Sequence, residues 1–218
     1  FLVKYNSSGT KQWTKQLGTS NDDVANGVAT DSSGNVYVTG DTRGGLDGNT
    51  FMGGNIYGGD IFLVKYNSSG TKQWTKQLGT SSNEFGWGVT ADSADNIYVT
   101  GGTYSTYGGA GLDGNTSEGN YDIFLVKYNS SGTKQWTKQL GTSSTDRGRA
   151  VSVDSADNIY VTGETHSSNA GNPGLDGNTS EGNNDIFLVK YNSSGTKQWT
   201  KQLGTSSADY GQGVAVDS

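Results

Sequence analysis

Oxygen-bearing side chains at alternate positions open the chemical reading of this sequence. Asp113, Asn115 and Ser117 stand two residues apart in DGNTSEGN, and Asp176, Asn178 and Ser180 repeat the pattern. That spacing beside a glycine suits a calcium loop, so calcium is the one cofactor the residues suggest. The glycine and the terminal glutamate fall elsewhere than in an EF-hand loop, and Asp-Gly-Asn is also a turn former, so both readings stand. A second set, Asp23, Glu84, Asp146 and Asp209, occupies equivalent places in four connections. Such carboxylates could hold a cation or work as acid/base pairs. Their repetition favours each capping its own turn, because an active site needs different residues in different roles. A third set is Phe85, Trp87, Arg147, Arg149 and Tyr210. Exposed aromatics and arginines suit sugars, acidic groups or protein partners, with inter-sheet packing the alternative for Phe85 and Tyr210. His166 is the only histidine and there is no cysteine, which leaves a catalytic triad or a transition-metal site without components. A non-enzyme is expected.

Everything that must position these residues hangs on one stretch. Phe1–Ser20, FLVKYNSSGTKQWTKQLGTS, recurs unchanged at Phe62–Ser81, Phe124–Ser143 and Phe187–Ser206. A self-similar period of about 62 residues means a chain of repeated supersecondary units. All twelve lysines lie inside this stretch, and only Arg43, Arg147 and Arg149 lie outside it. With a net charge of −6 and no basic cluster, nucleic-acid binding has no electrostatic footprint. No apolar run nears the ~20 residues needed to span a bilayer. The absence of cysteine excludes disulfides and does not choose a compartment.

Within one unit, Ala150–Asp154 alternates small and β-branched residues, and Asn158–Thr162 follows after the turn Ser155-Ala156-Asp157. After a long glycine-rich connection come Asp185–Tyr191 and, beyond Asn192-Ser193-Ser194-Gly195, Lys197–Leu203. Period-2 alternation and Gly/Asn/Asp/Ser punctuation predict four antiparallel strands, A to D. Strand C is apolar on both faces, as in a sheet packed between two neighbours. Radial stacking of such sheets is the β-propeller; a linear β-solenoid ranks second.

The run GVATDSSGNVYVTG, then LDGN, then DIFLVKYN-SSG-TKQWTKQLGTS resembles the bacterial β-propeller repeat family named for seven-bladed propellers, over essentially the whole chain. The resemblance implies an all-β propeller, typical of exported or surface proteins, with no defined activity. The expected organisation is a single repeat array over residues 1–218. It comprises a partial blade 1–20, blades 21–82, 83–144 and 145–207, and a partial blade 208–218 whose strand A covers Gly213–Ser218.

In an antiparallel meander the A–B and C–D turns share one end and the B–C and D–A connections the other. The first set is nearly uniform, whereas the D–A connections read NDDVAN, NEFGW, TDRGR and ADYGQ. A uniform frame with one divergent rim points to recognition on that rim; loop drift is the bland alternative. The leading expectation is an extracellular or cell-surface scaffold contacting protein or glycan there. A lectin-like carbohydrate binder is the first alternative. A structural assembly module, self-associating through incomplete blades, is the second.

Overall fold

The structure is a computed structural model that describes residues 1–53, 59–106, 108–167 and 171–217. The parts of the long B–C connections at 54–58, 107 and 168–170 lie outside the described residues, as does Ser218.

The four-strand alternation is realised three times. Strands β3 (Asp23–Thr30), β4 (Val36–Thr42), β5 (Asp60–Tyr66) and β6 (Lys72–Leu78) form one antiparallel meander. Strands β7 (Glu84–Ala91), β8 (Ile97–Tyr104), β9 (Tyr121–Tyr128) and β10 (Lys134–Leu140) form the next. The third consists of β11 (Asp146–Val153), β12 (Ile159–His166), β13 (Asn184–Tyr191) and β14 (Lys197–Leu203). Ahead of them β1 (Leu2–Tyr5) and β2 (Lys11–Lys15) pair as a two-stranded sheet.

The core lies between sheets. Tyr37, Ile61, Leu63, Trp74 and Leu78 on one face of the β3–β6 sheet pack against Ile97, Val99, Phe124, Val126 and Tyr128 of the next. The same positions, Tyr98, Ile123, Leu125, Trp136 and Leu140, meet Ile159, Val161, Phe187, Val189 and Tyr191 one sheet later. Leu2, Trp13 and Leu17 do this for the first pair of sheets. Each fully buried aliphatic or aromatic side chain contributes about 1.5–3 kcal/mol, so the stack is held mainly by these faces.

Polar contacts repeat along with the apolar ones and set the offset between sheets. Lys4, Lys65 and Lys127 each donate from Nζ to the carbonyl of Ser68, Ser130 or Ser193 in the C–D turn of the following sheet, at 3.0, 3.1 and 3.2 Å. Ser32 and Ser93 donate through their hydroxyls to Asp95 and Asp157 of the following A–B turn, at 2.9 and 3.1 Å.

Strands A and B run further toward the variable end than their alternation predicts. The strand expected at Ala150–Asp154 starts at Asp146, and that expected at Asn158–Thr162 continues to His166. A β-bulge is the reason. Pairing steps from Gly148↔Gly163 to Ala150↔Thr162 and skips Arg149; Trp87 and Asn26 are skipped in the same way. A Cβ on Gly163 would stand 1.8 Å from the carbonyl oxygen of Arg147, so the bulge needs glycine opposite it.

The expectation of a final strand A at Gly213–Ser218 is corrected. No strand forms over 209–217 among the described residues. Gly211 instead lies against Thr162, the Gly163 carbonyl and Ile186, as Gly86 lies against Thr39, Gly40 and Ile61. The segment takes the place of an innermost strand beside β11–β14, unpaired among the described residues.

Candidate functional site

The bulge decides where the divergent side chains go. Phe85, Trp87, Arg147 and Arg149 belong to the innermost strands β7 and β11 themselves, rather than to the connections before them. Bulging re-aims a side chain, and the re-aimed position holds Asn26, Trp87 and Arg149 in successive sheets.

Around it a single cluster spans two sheets. Phe85 stacks on Trp87 with ring centres 5.7 Å apart and planes 7° apart. Tyr121 tilts against Phe85 at 6.1 Å, and Tyr104 against Tyr121 at 5.1 Å. From the next sheet the Arg149 guanidinium lies 4.4 Å from a Trp87 ring centre, and that of Arg147 lies 5.0 Å from Tyr121. Glu164 anchors both. Its carboxylate accepts from Arg149 Nε at 2.9 and 3.0 Å and from Nη2 at 2.5 Å, with Arg147 Nη1 3.7 Å away. Glu164 is 1% exposed, so the Arg149 fork supplies the hydrogen bonds that solvent does not.

The partners at positions 26, 87 and 149 match in kind across the bulge. Asn26 donates from Nδ2 to Asp41 Oδ1 at 3.1 Å and to the Gly86 carbonyl at 3.0 Å. Arg149 takes Glu164. Trp87 takes Gly102, whose missing side chain leaves room for the indole: a Cβ there would be 3.0 Å from Trp87 Cζ3. Burial pushes the Asp41 carboxyl up to about 6, against the Asn26 hydrogen bond that lowers it.

Tyr210 stands apart from the cluster; it is half-exposed and its hydroxyl accepts from Asn184 Nδ2 at 3.1 Å. His166 Nδ1 and Ser144 Oγ share a hydrogen bond of 2.8 Å.

The oxygen-rich B–C loops are strapped to their own sheets. Asp113 accepts from Lys134 Nζ and from Thr137 Oγ1, Asn115 donates to the Leu112 carbonyl at 2.7 Å, and Ser117 donates to Gly119 at 2.8 Å. Asp176 likewise takes Lys197 and Thr200, Asn178 takes Leu175, and Ser180 takes Gly182. In each loop the aspartate oxygens, the asparagine amide nitrogen and the serine hydroxyl thus turn to different partners. Burial pushes the Asp113 and Asp176 carboxyls up, but the lysine and threonine hydrogen bonds outweigh it and hold them below the ordinary value. Leu112 and Leu175 plug the core beneath.

Asp23, Glu84, Asp146 and Asp209 each cap the preceding turn, accepting the backbone N–H of Thr19, Thr80, Thr142 and Thr205 at 2.5–2.7 Å. Burial raises the Asp146 carboxyl to about 6, although Thr165 and Thr142 bond it.

Sequence reasoning named Phe85, Trp87, Arg147 and Arg149 and missed Glu164, Tyr104 and Tyr121. The small-x-small triplets Gly86-Trp87-Gly88, Gly148-Arg149-Ala150 and Ala25-Asn26-Gly27 are the signal that would have located the bulge.

The chain is similar to two curated proteins. Over an alignment of 236 positions that covers 99% of this chain, it is 27% identical to the regulatory protein FlaEY of Caulobacter vibrioides. Over an alignment of 221 positions that covers 90% of this chain, it is 28% identical to the uncharacterized WD repeat-containing protein L264 of Acanthamoeba polyphaga mimivirus. It spans 24% and 15% of their lengths. A model described as a beta-propeller repeat matches residues 12–47, 73–108, 135–169 and 198–218, the first three matches running from strand D of one sheet toward the B–C connection of the next. The chain belongs to the beta-propeller repeat family.

Proposed function

We propose that this chain is part of a non-enzymatic interaction scaffold, exported or at the cell surface, that contacts a protein partner through its variable inner rim. One observation carries the reading. The outer hairpin is the same in four copies, while the bulged position of the innermost strand, held on that frame, changes from Asn26 to Trp87 to Arg149. Similarity to a protein named as regulatory and to one named for its WD repeats supports an interaction role. The exported location rests on the family resemblance.

A glycan is the second reading, favoured by the aromatic cluster. Phe85 and Arg149 already lie against the Trp87 rings, which leaves little open face for a sugar. Protein therefore ranks first. Crosslinking of the purified chain at the surface of its source cells, beside a glycan array, tests both. The proposal expects a crosslinked protein lost with Trp87→Ala and no glycan signal. A glycan signal abolished by Trp87→Ala would make the chain a lectin instead.

A further inference from the structure

One cation beside the divergent rim lacks an acceptor. All twelve lysines lie in the repeated stretch, which leaves Arg43, Arg147 and Arg149 to the divergent strands and connections. Arg43 Nη1 bonds Asp22 at 2.8 Å. Arg149 takes both oxygens of Glu164, at 2.5–3.0 Å. Arg147 Nη1 stops 3.7 Å from the same carboxylate, outside hydrogen-bond reach, and its guanidinium bonds no other group among the described residues. Residues 54–58, 107, 168–170 and 218, outside that set, include no carboxylate side chain.

Two guanidiniums over one carboxylate leave one positive charge uncompensated. The next acid along the strand, Asp146, points to the opposite face, as alternation requires, and accepts from Thr142 and Thr165. The Arg147 side chain is 33% exposed, so its free donors reach solvent. An aromatic wall stands beside it: Tyr121, 5.0 Å away, tilts against Phe85 and Tyr104. All of these residues belong to the complete sheets β7–β10 and β11–β14.

We infer that Arg147 anchors a carboxylate of the protein partner, an Asp or Glu side chain set beside the Tyr121 ring; this rests on the interaction-scaffold reading of the same rim. A planar carboxylate fits the guanidinium fork and matches the single spare charge. A phosphate dianion would bring a second negative charge toward Glu164, 3.7 Å behind the guanidinium.

Selection of phage-displayed random peptides on the 218-residue chain, followed by calorimetry with a synthetic copy of the best binder, tests this. The binder is expected to carry an Asp or Glu whose change to Asn or Gln weakens binding about tenfold or more. Arg147→Gln should cost as much, and the two changes together no more than either alone. Glu164 keeps the Arg149 fork in this variant, so the fold is left intact. Arg43→Gln removes the same charge from a residue already bonded to Asp22 and should leave binding unchanged. Binders that need no Asp or Glu, or that are lost with Trp87→Ala yet indifferent to Arg147→Gln, would overturn the inference and keep the scaffold reading. Finding no binder that depends on Trp87 or on Arg147 would overturn both.

Discussion

The carboxylates of this chain titrate in opposite directions according to what faces them. Asp41 and Asp146 are raised to about 6 chiefly by burial. Burial likewise raises Asp60, Glu84 and Asp122. In Asp60 and Asp122 a glutamine amide holds Oδ2 while the buried Oδ1 has no hydrogen-bond partner among the described residues. A carboxyl whose folded pKa is raised keeps its proton longer in the folded state, so its stabilisation is full below about pH 4 and is lost as pH rises through about 6. The denaturant midpoint is therefore expected to fall between pH 4 and pH 7, and Asp146→Asn to flatten that fall. Asp31, Asp47, Asp113, Asp154 and Asp176 are lowered, because hydrogen bonds outweigh their burial. Their stabilisation holds above about pH 4 and is lost on further acidification. Arg149→Ala leaves Glu164 buried without its fork and should cost about 3 kcal/mol in equilibrium unfolding. The Lys134 and Thr137 partners of Asp113 predict a melting temperature unmoved by chelators. A drop on chelation would give that carboxylate to calcium.

At the scale of the strand, the glycines opposite the bulge decide the shape of the rim. Gly163→Ala puts a methyl group into the Arg147 carbonyl and should destabilise by more than about 3 kcal/mol, or shift the register. Circular dichroism with denaturant titration would show it. Strand D was legible in its full extent as Lys197–Leu203, and strand C to within one residue, because alternation and turn chemistry agree there. Strands A and B were read short, since Gly101-Gly102 and Gly148-Arg149 carry no alternation and resemble a connection. The aromatic and arginine residues of the site were legible by type. Glu164 and Tyr121 were not, because they join the cluster through cross-strand and between-sheet contacts whose register a single sequence does not reveal.

Across the whole molecule, sequence identity among hairpins separates stacking from local propensity. The four copies share every residue, so any difference in their behaviour comes from the sheets around them. The apolar faces and the lysine-to-carbonyl contacts put the copies at 62–81 and 124–143 between neighbours on both sides, while the copy at 1–20 has a neighbour on one side alone. Native-state hydrogen exchange measures this most directly, at a dilution where the chain is monomeric and with peptides extending into the unique flanking residues. The account predicts slow exchange in the two central hairpins, faster exchange in Lys197–Leu203, and the fastest in Leu2–Lys15. Equal protection of all four copies would contradict it, because the hairpins would then owe their stability to their own sequence and not to the stack.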